Sequence, residues 1–81
     1  MKTVIFPLTM IATGKDVVLV SIEGGWGLRK RLSEMGLNEG MQFKILHGHR
    51  PGPHIILVGN TRLVLGHGMA HKILVKEINH V

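Results

Sequence analysis

Alternating apolar and polar positions along the chain predict short β-strands separated by turns. In residues 41–47, Phe43 and Ile45 alternate with Gln42 and Lys44, which is the period-two pattern of a strand with one buried face. Other segments are rich in the β-branched and apolar residues typical of strands. These further predicted strands are 16–24, 54–58, 61–65 and 72–78.

The connections between these strands favour a compact β architecture. Gly59 and Asn60 lie between two apolar runs, where a two-residue turn would close a hairpin. Pro51 and Pro53 interrupt strand pairing before that hairpin. Five short strands in 81 residues predict a mostly β fold, a small five- or six-stranded barrel, because closure removes exposed sheet edges.

One segment between the first two predicted core strands has helical rather than strand periodicity. Leu28, Leu32 and Met35 follow at i, i+4 and i+7 and would form one apolar stripe. Gly36 can adopt the positive φ that often ends a helix, and Leu37 can then fold back onto the last turn. The pattern predicts a single helix at about residues 27–36.

The face opposite this stripe is basic. Arg29, Lys30 and Arg31 are expected in the first turn, where they would concentrate positive potential at a glycine-rich helix entry and attract anions. The alternative is an ordinary solvated basic face. The preceding glycines do not follow the order of a P-loop or a dinucleotide-binding motif.

Charge and composition limit the classes of partner. The net charge is +5 and the sequence pI is about 10.3, so an acidic partner is favoured: nucleic acid, an anionic membrane surface or an acidic protein face. No apolar run approaches the ~18 residues of a membrane-spanning helix, so membrane insertion is not expected. The apolar N-terminus is expected to be a strand or arm packed on the barrel and not a cleaved leader. We expect one domain, residues 1–81.

Histidines are the main candidates for metal ligands in a chain without cysteine. His67 and His71 are four residues apart, a spacing that lets a helix present two imidazoles to one metal. Gly66 and Gly68 argue against a helix there. We therefore predict no physiological metal site and assign no cofactor. Adventitious binding of divalent metal ions to histidines is expected instead. The histidines concerned are His47, His49, His54, His67 and His71.

Catalytic chemistry is not expected from this sequence. Asp16 is the only aspartate, and Ser21 and Ser33 are the only serines. Nothing in their spacing brings them to a histidine in one pocket, as a catalytic triad requires. We predict that the protein is not an enzyme.

The stretch IEGGWGLRKRLSEMGLNEGM, residues 22–41, resembles the central signature of the FeoA family, small partners of the ferrous iron transporter FeoB. The resemblance extends over nearly the whole chain. The matching positions are Pro7, Leu8, Gly14, Ile22, Gly24, Leu28, Arg31, Leu32, Met35, Gly36, Leu37, Gly40, Gly52, Pro53, Gly59, Leu65, Ala70, Ile73 and Val75.

This resemblance implies an SH3-like barrel with the helix inserted after the first core strand. It further implies a non-enzymatic, cytoplasmic accessory role in iron uptake, by contact with the GTP-binding region of FeoB at the inner face of the membrane. The helix would then be the docking surface. We assign partner binding to Arg29, Lys30, Arg31 and Glu34, and a structural role to Leu28, Leu32, Met35, Gly36, Leu37 and Gly40.

Two alternatives stay open. A small basic barrel is also typical of nucleic-acid-binding modules of the KOW type, although the ten basic residues are scattered outside the helix and aromatic residues make up only 4% of the chain. Self-association is the second, because the apolar arm from Val4 to Ile11 could pair with the sheet edge of a neighbouring copy.

Overall fold

The computed structural model describes residues 4–48 and 52–78. These residues form one antiparallel six-stranded sheet with the strand order β1-β6-β2-β3-β4-β5. The strands are β1 Phe6–Pro7, β2 Asp16–Ile22, β3 Gln42–Gly48, β4 His54–Val58, β5 Thr61–Leu65 and β6 Ile73–Glu77. Helix α1 is Trp26–Glu34, helix α2 is His67–Ala70, and a short 3₁₀ helix is Leu8–Met10. The mostly β architecture with a helix after the first long strand is confirmed.

Alternation along the strands determines which side chains enter the core. In β3, Phe43 and Ile45 are buried whereas Gln42 is exposed, so the predicted orientation of this strand is confirmed. β6 follows the same pattern, with Ile73 and Val75 fully buried. The buried apolar residues form one cluster: Leu8, Val17, Leu19, Ile22, Leu32, Leu37, Phe43, Ile45, Ile56, Leu65, Ala70, Ile73 and Val75.

Two register shifts occur in the long strands. One lies in β2 between Leu19 and Ser21 where it pairs with β6, and the other lies in β3 between Ile45 and His47 where it pairs with β4. An extra residue in one strand of a pair bends that strand and increases its twist. These two irregularities therefore bend β2 and β3 and allow the short sheet to curl around a small core.

The hairpin and the N-terminal arm both follow the sequence prediction. Val58 pairs with Thr61 across the Gly59-Asn60 turn, and Gly59 has a φ of 62°. At the N-terminus, β1 pairs with β6, and Leu8 is fully buried. The arm thus packs on the sheet of its own chain.

The helix at His67–Ala70 corrects one prediction, because Gly66 and Gly68 argued against helical structure there. Gly66 precedes the helix in an extended conformation, and its carbonyl accepts a hydrogen bond from the Ala70 amide at 2.9 Å. Ala70 is fully buried in the core. Burial of this turn against the sheet offsets the cost of about 1 kcal/mol that a helical glycine carries.

The remaining differences concern the ends of elements. The strands predicted at 16–24 and 72–78 end earlier, at Ile22 and Glu77, and α1 begins at Trp26 and ends at Glu34. Shifts of one or two residues are normal at helix ends, which fray. The predictions for Pro51 and His49 lie outside the described residues.

Candidate partner-binding surface

Helix α1 is attached to the barrel by the predicted apolar stripe. Leu32 is fully buried in the core, and Leu28 and Met35 pack against it while half-buried. Because one face of the helix is held by these contacts, the opposite face is presented to solvent in a defined orientation. The prediction that Leu32 lies between helix and barrel is confirmed.

The C-terminus of α1 is closed by backbone hydrogen bonds. The Leu37 amide donates to the Leu32 carbonyl at 2.8 Å, and the Gly36 amide donates to the Ser33 carbonyl at 2.9 Å. Gly36 has a φ of 94°, the left-handed conformation that this Schellman motif requires. Leu37 is buried just beyond it, so the chain turns back into the core after the helix.

Two glycines, Gly24 and Gly25, precede the N-terminus of α1. Gly25 is the N-cap and supplies no side-chain hydrogen bond. A Cβ at Gly24 would lie 2.7 Å from Cδ2 of Leu28, so a side chain there would require the end of the Leu28 side chain to move. Gly24 therefore lets the chain pass close to Leu28, and Gly25 leaves the first amides of α1 without a side-chain cap.

All four predicted partner-binding side chains lie on the exposed face of α1. Arg29, Lys30, Arg31 and Glu34 are each exposed. Arg31 lies in the last turn, so the prediction that all three cations occupy the first turn was wrong. The helix begins earlier than predicted, and a cation near the C-terminal end interacts favourably with the helix dipole.

The two arginines differ in their surroundings. Arg29 Nη2 donates to the carbonyl oxygen of Ile22 at 3.4 Å, which directs this guanidinium towards the end of β2. Within the described residues, the guanidinium of Arg31 makes no such contact. One donor of the Arg29 guanidinium is therefore already engaged before a partner binds. The guanidinium of Arg31 can offer its planar set of N–H donors to a partner carboxylate.

An exposed aromatic side chain extends this basic surface, and the sequence-based assignment missed it. Trp26 is 74% exposed, and Nζ of Lys30 lies 5.0 Å from the centroid of its ring. The two residues are four apart on one helix, a spacing that brings side chains together, and this spacing was the available signal. We call Trp26, Arg29, Lys30, Arg31 and Glu34 the basic helix face.

The histidines lie elsewhere, near β4 and α2. Nε2 of His54 lies 3.3 Å from Nδ1 of His67, whereas the ring centroids of His67 and His71 are 6.3 Å apart. His47 is exposed on β3. Among the described residues, no group of three or more histidine and carboxylate side chains is arranged to hold a metal ion.

Comparison with known proteins places the chain in a family. The model of the FeoA domain matches residues 6–77. This chain belongs to the FeoA family. It is also 32% identical over 75 residues to a Methanocaldococcus jannaschii protein named "Putative Fe(2+) transport protein A", an alignment that covers 93% of this chain and 90% of the relative. The family is associated with ferrous iron transport.

Solved structures confirm the fold. The crystal structure of an iron uptake regulatory protein, FeoA, superposes with a TM-score of 0.86 at 35% identity and covers 93% of this chain and 100% of that one. The predicted SH3-like barrel is therefore confirmed. A manganese-dependent transcriptional repressor matches with a TM-score of 0.85 at 14% identity, over 96% of this chain and 44% of that one, which shows a shared fold alone.

No helix among the described residues is long and apolar enough to cross a membrane.

Proposed function

We propose that this FeoA-family protein is an accessory protein of ferrous iron uptake that binds the cytoplasmic GTP-binding region of the FeoB transporter through the basic helix face. The observation that carries the proposal is the composition of this face. It groups three cations and an exposed tryptophan on one helix that is anchored to the core by Leu32. Family membership supplies the link to ferrous iron transport.

The physical character of the basic helix face supports a protein partner with an acidic surface. Clustered cations steer association with an acidic patch, and they act mainly on the association rate. Trp26 adds a large side chain of the kind that dominates binding energy at protein interfaces. Glu34 lies at the end of the same helix and would select the orientation in which it meets a cation of the partner.

The proposal assigns no catalytic step to this chain. Binding would place the protein in the cytoplasm at the inner face of the membrane, through its partner and not through a segment of its own. The anchoring of α1 supports this role, because a surface held in one orientation loses little conformational entropy on binding.

The test is binding kinetics between the full chain and the isolated cytoplasmic region of FeoB. The variant Lys30→Glu/Arg31→Glu lowers the net charge from +5 to +1, since each substitution changes it by −2. We expect about a tenfold slower association at low salt and a weaker dependence on salt, because steering charges act on the encounter. The dissociation rate should change less.

The matched control is Lys72→Glu/Lys76→Glu, which makes the same change in net charge at two exposed positions on and beside β6. Its association rate should stay much closer to that of the unmodified protein. Equal slowing in both pairs would show that net charge and not the basic helix face steers binding, and would contradict the proposal. Lys72→Glu/Lys76→Glu should melt like the parent, since exposed substitutions shift stability by within ~0.5 kcal/mol. Lys30→Glu/Arg31→Glu should remain folded and lose no more than about 1 kcal/mol, because it removes the contact of Lys30 with the ring of Trp26.

The same proteins distinguish the nucleic-acid alternative. Retention on RNA or DNA that falls steeply between low and moderate salt is the mark of phosphate binding. Such retention, together with no measurable association with FeoB, would replace the proposed function by nucleic-acid binding. We expect no retention even at low salt.

A further inference from the structure

A buried histidine at the start of β4 is not accounted for by the basic helix face. His54 is only 3% exposed and is the only buried polar or charged residue among those that the structure describes. Its ring packs over Gly48 of the neighbouring strand, where an added Cβ would lie 2.5 Å from Nδ1 of His54. Packing on this side holds the imidazole and leaves Nε2 directed towards α2.

Nε2 of His54 meets the imidazole of His67, the first residue of α2. The nitrogen-to-nitrogen distance is 3.3 Å and the ring planes are inclined by 31°. Without a metal ion, one imidazole donates a hydrogen bond to the other at this distance, and the tautomers decide which ring is the donor. Two imidazole nitrogens bound at 2.0–2.1 Å to one tetrahedral metal ion are about 3.3–3.4 Å apart. The observed separation thus matches the edge of a tetrahedral coordination shell.

We infer that His54 and His67 form a two-histidine site for a divalent transition metal ion, with Zn²⁺ and Co²⁺ as the representative class. Neutral imidazole is a preferred ligand of such ions. The bound ion would take Nε2 of His54 and Nδ1 of His67, and water would complete its shell on the open side of the half-buried His67. This inference is independent of the proposed docking function.

The site differs from the pair that sequence spacing suggests. His67 and His71 are four residues apart, yet their ring centroids are 6.3 Å apart and stacked, and Nδ1 of His71 lies 3.4 Å from Oγ1 of Thr9. His54 and His67 are thirteen residues apart and belong to different elements. A metal ion bound to both would connect β4 directly to α2, and the buried His54 would be the preorganised half of the site.

The experiment is a titration of the full chain, prepared without an affinity tag, with Co²⁺ followed by visible absorption and with Zn²⁺ followed by calorimetry. We expect one equivalent to bind. The variant His67→Gln should raise Kd at least tenfold, whereas His71→Gln should leave it within about twofold. Zn²⁺ should also raise the Tm of the unmodified protein and of His71→Gln, but not of His67→Gln, because a ligand of the native state stabilises it.

Nitrogen NMR of the imidazole rings tests His54 without substituting a buried residue. On addition of Zn²⁺, the resonances of Nε2 of His54 and Nδ1 of His67 should move, while those of His71 stay. Circular dichroism establishes that both variants are folded. Binding that His67→Gln leaves unchanged, or no one-to-one saturation, would mean adventitious metal only and overturn the inference. Loss of binding in His71→Gln equal to that in His67→Gln would overturn it in favour of the helical pair.

Discussion

Leu32 shows at the scale of one residue how the functional surface depends on the core. Its side chain is fully buried between α1 and the sheet. Leu32→Ala should lower the free energy of unfolding by about 2–4 kcal/mol, through lost burial and the cavity left behind. Chemical denaturation monitored by circular dichroism measures this change.

Val64→Thr is the control for that measurement, because Val64 is 63% exposed and Thr keeps the β-branched shape. It should shift stability by within ~0.5 kcal/mol. A Leu32→Ala protein with an unchanged denaturation midpoint would mean that the stripe of α1 contributes nothing to stability.

The cations of the basic helix face are not equivalent as single residues. Lys30 lies over the ring of Trp26, a cation–π contact worth about 0.5–1 kcal/mol at an exposed site. Arg29 contacts the carbonyl oxygen of Ile22. Arg31 has neither contact among the described residues. The charge reversal at Lys30 and Arg31 therefore removes the contact of Lys30 with Trp26 and leaves the contact of Arg29 intact.

At the scale of the element, substitution by alanine should change the free energy of unfolding in opposite directions at two glycines. One is Gly27 within α1, and the other is Gly36 in its C-terminal cap. A Cβ at Gly36 or at Gly27 meets no atom within 4 Å, so sterics with neighbours play no part. Gly36 has a φ of 94°, and Gly36→Ala should destabilise by about 1–2 kcal/mol. Gly27 lies within the helix, and Gly27→Ala should stabilise by up to about 1 kcal/mol.

Thermal melts of the two variants give these free energies under identical conditions. Each variant serves as the control of the other, since both add one methyl group at an open position. Destabilisation by both substitutions would contradict the assignment of Gly27 to a regular helix. No effect of Gly36→Ala would contradict the left-handed cap.

At the scale of the whole molecule, the exposed apolar arm predicts self-association. Val4, Ile5 and Met10 are exposed large apolar residues, and β1 lies at one end of the strand order, where an edge can pair with a neighbour. We expect the average mass in sedimentation to rise with concentration. Ile5→Lys, directly before β1, should suppress this rise, because a charge beside a sheet edge opposes pairing.

Val64→Lys is the matched variant at the other end of the sheet, on β5. It adds the same charge and should leave the concentration dependence in place. A single mass at all concentrations of the unmodified protein would contradict self-association. If Val64→Lys but not Ile5→Lys suppressed the rise in mass, the contact between copies would lie at β5 and not at β1.

Local periodicity by itself determined most of the elements of this protein. In β3, Phe43 and Ile45 alternate with polar residues, which indicates the buried face of the strand. In α1, the spacing of Leu28, Leu32 and Met35 indicates the buried face of the helix. In both elements the reason is that burial of apolar side chains away from water is favourable. The Gly59-Asn60 turn and the cap at Gly36 are equally local, since each depends on the conformations open to one or two residues. The same periodicity places the charged members of the basic helix face opposite the apolar stripe, whereas the exposed Trp26 was not predicted.

Only the tertiary structure decided the features that join distant residues. Helix α2 forms despite its glycine because Ala70 is buried in the core, and burial against the sheet is not encoded in local propensity. The contact of Arg29 with Ile22 depends on where β2 ends relative to α1. His54 and His67 meet because the hairpin of β4 and β5 brings the start of β4 beside α2, whereas sequence spacing can indicate only neighbours within one element.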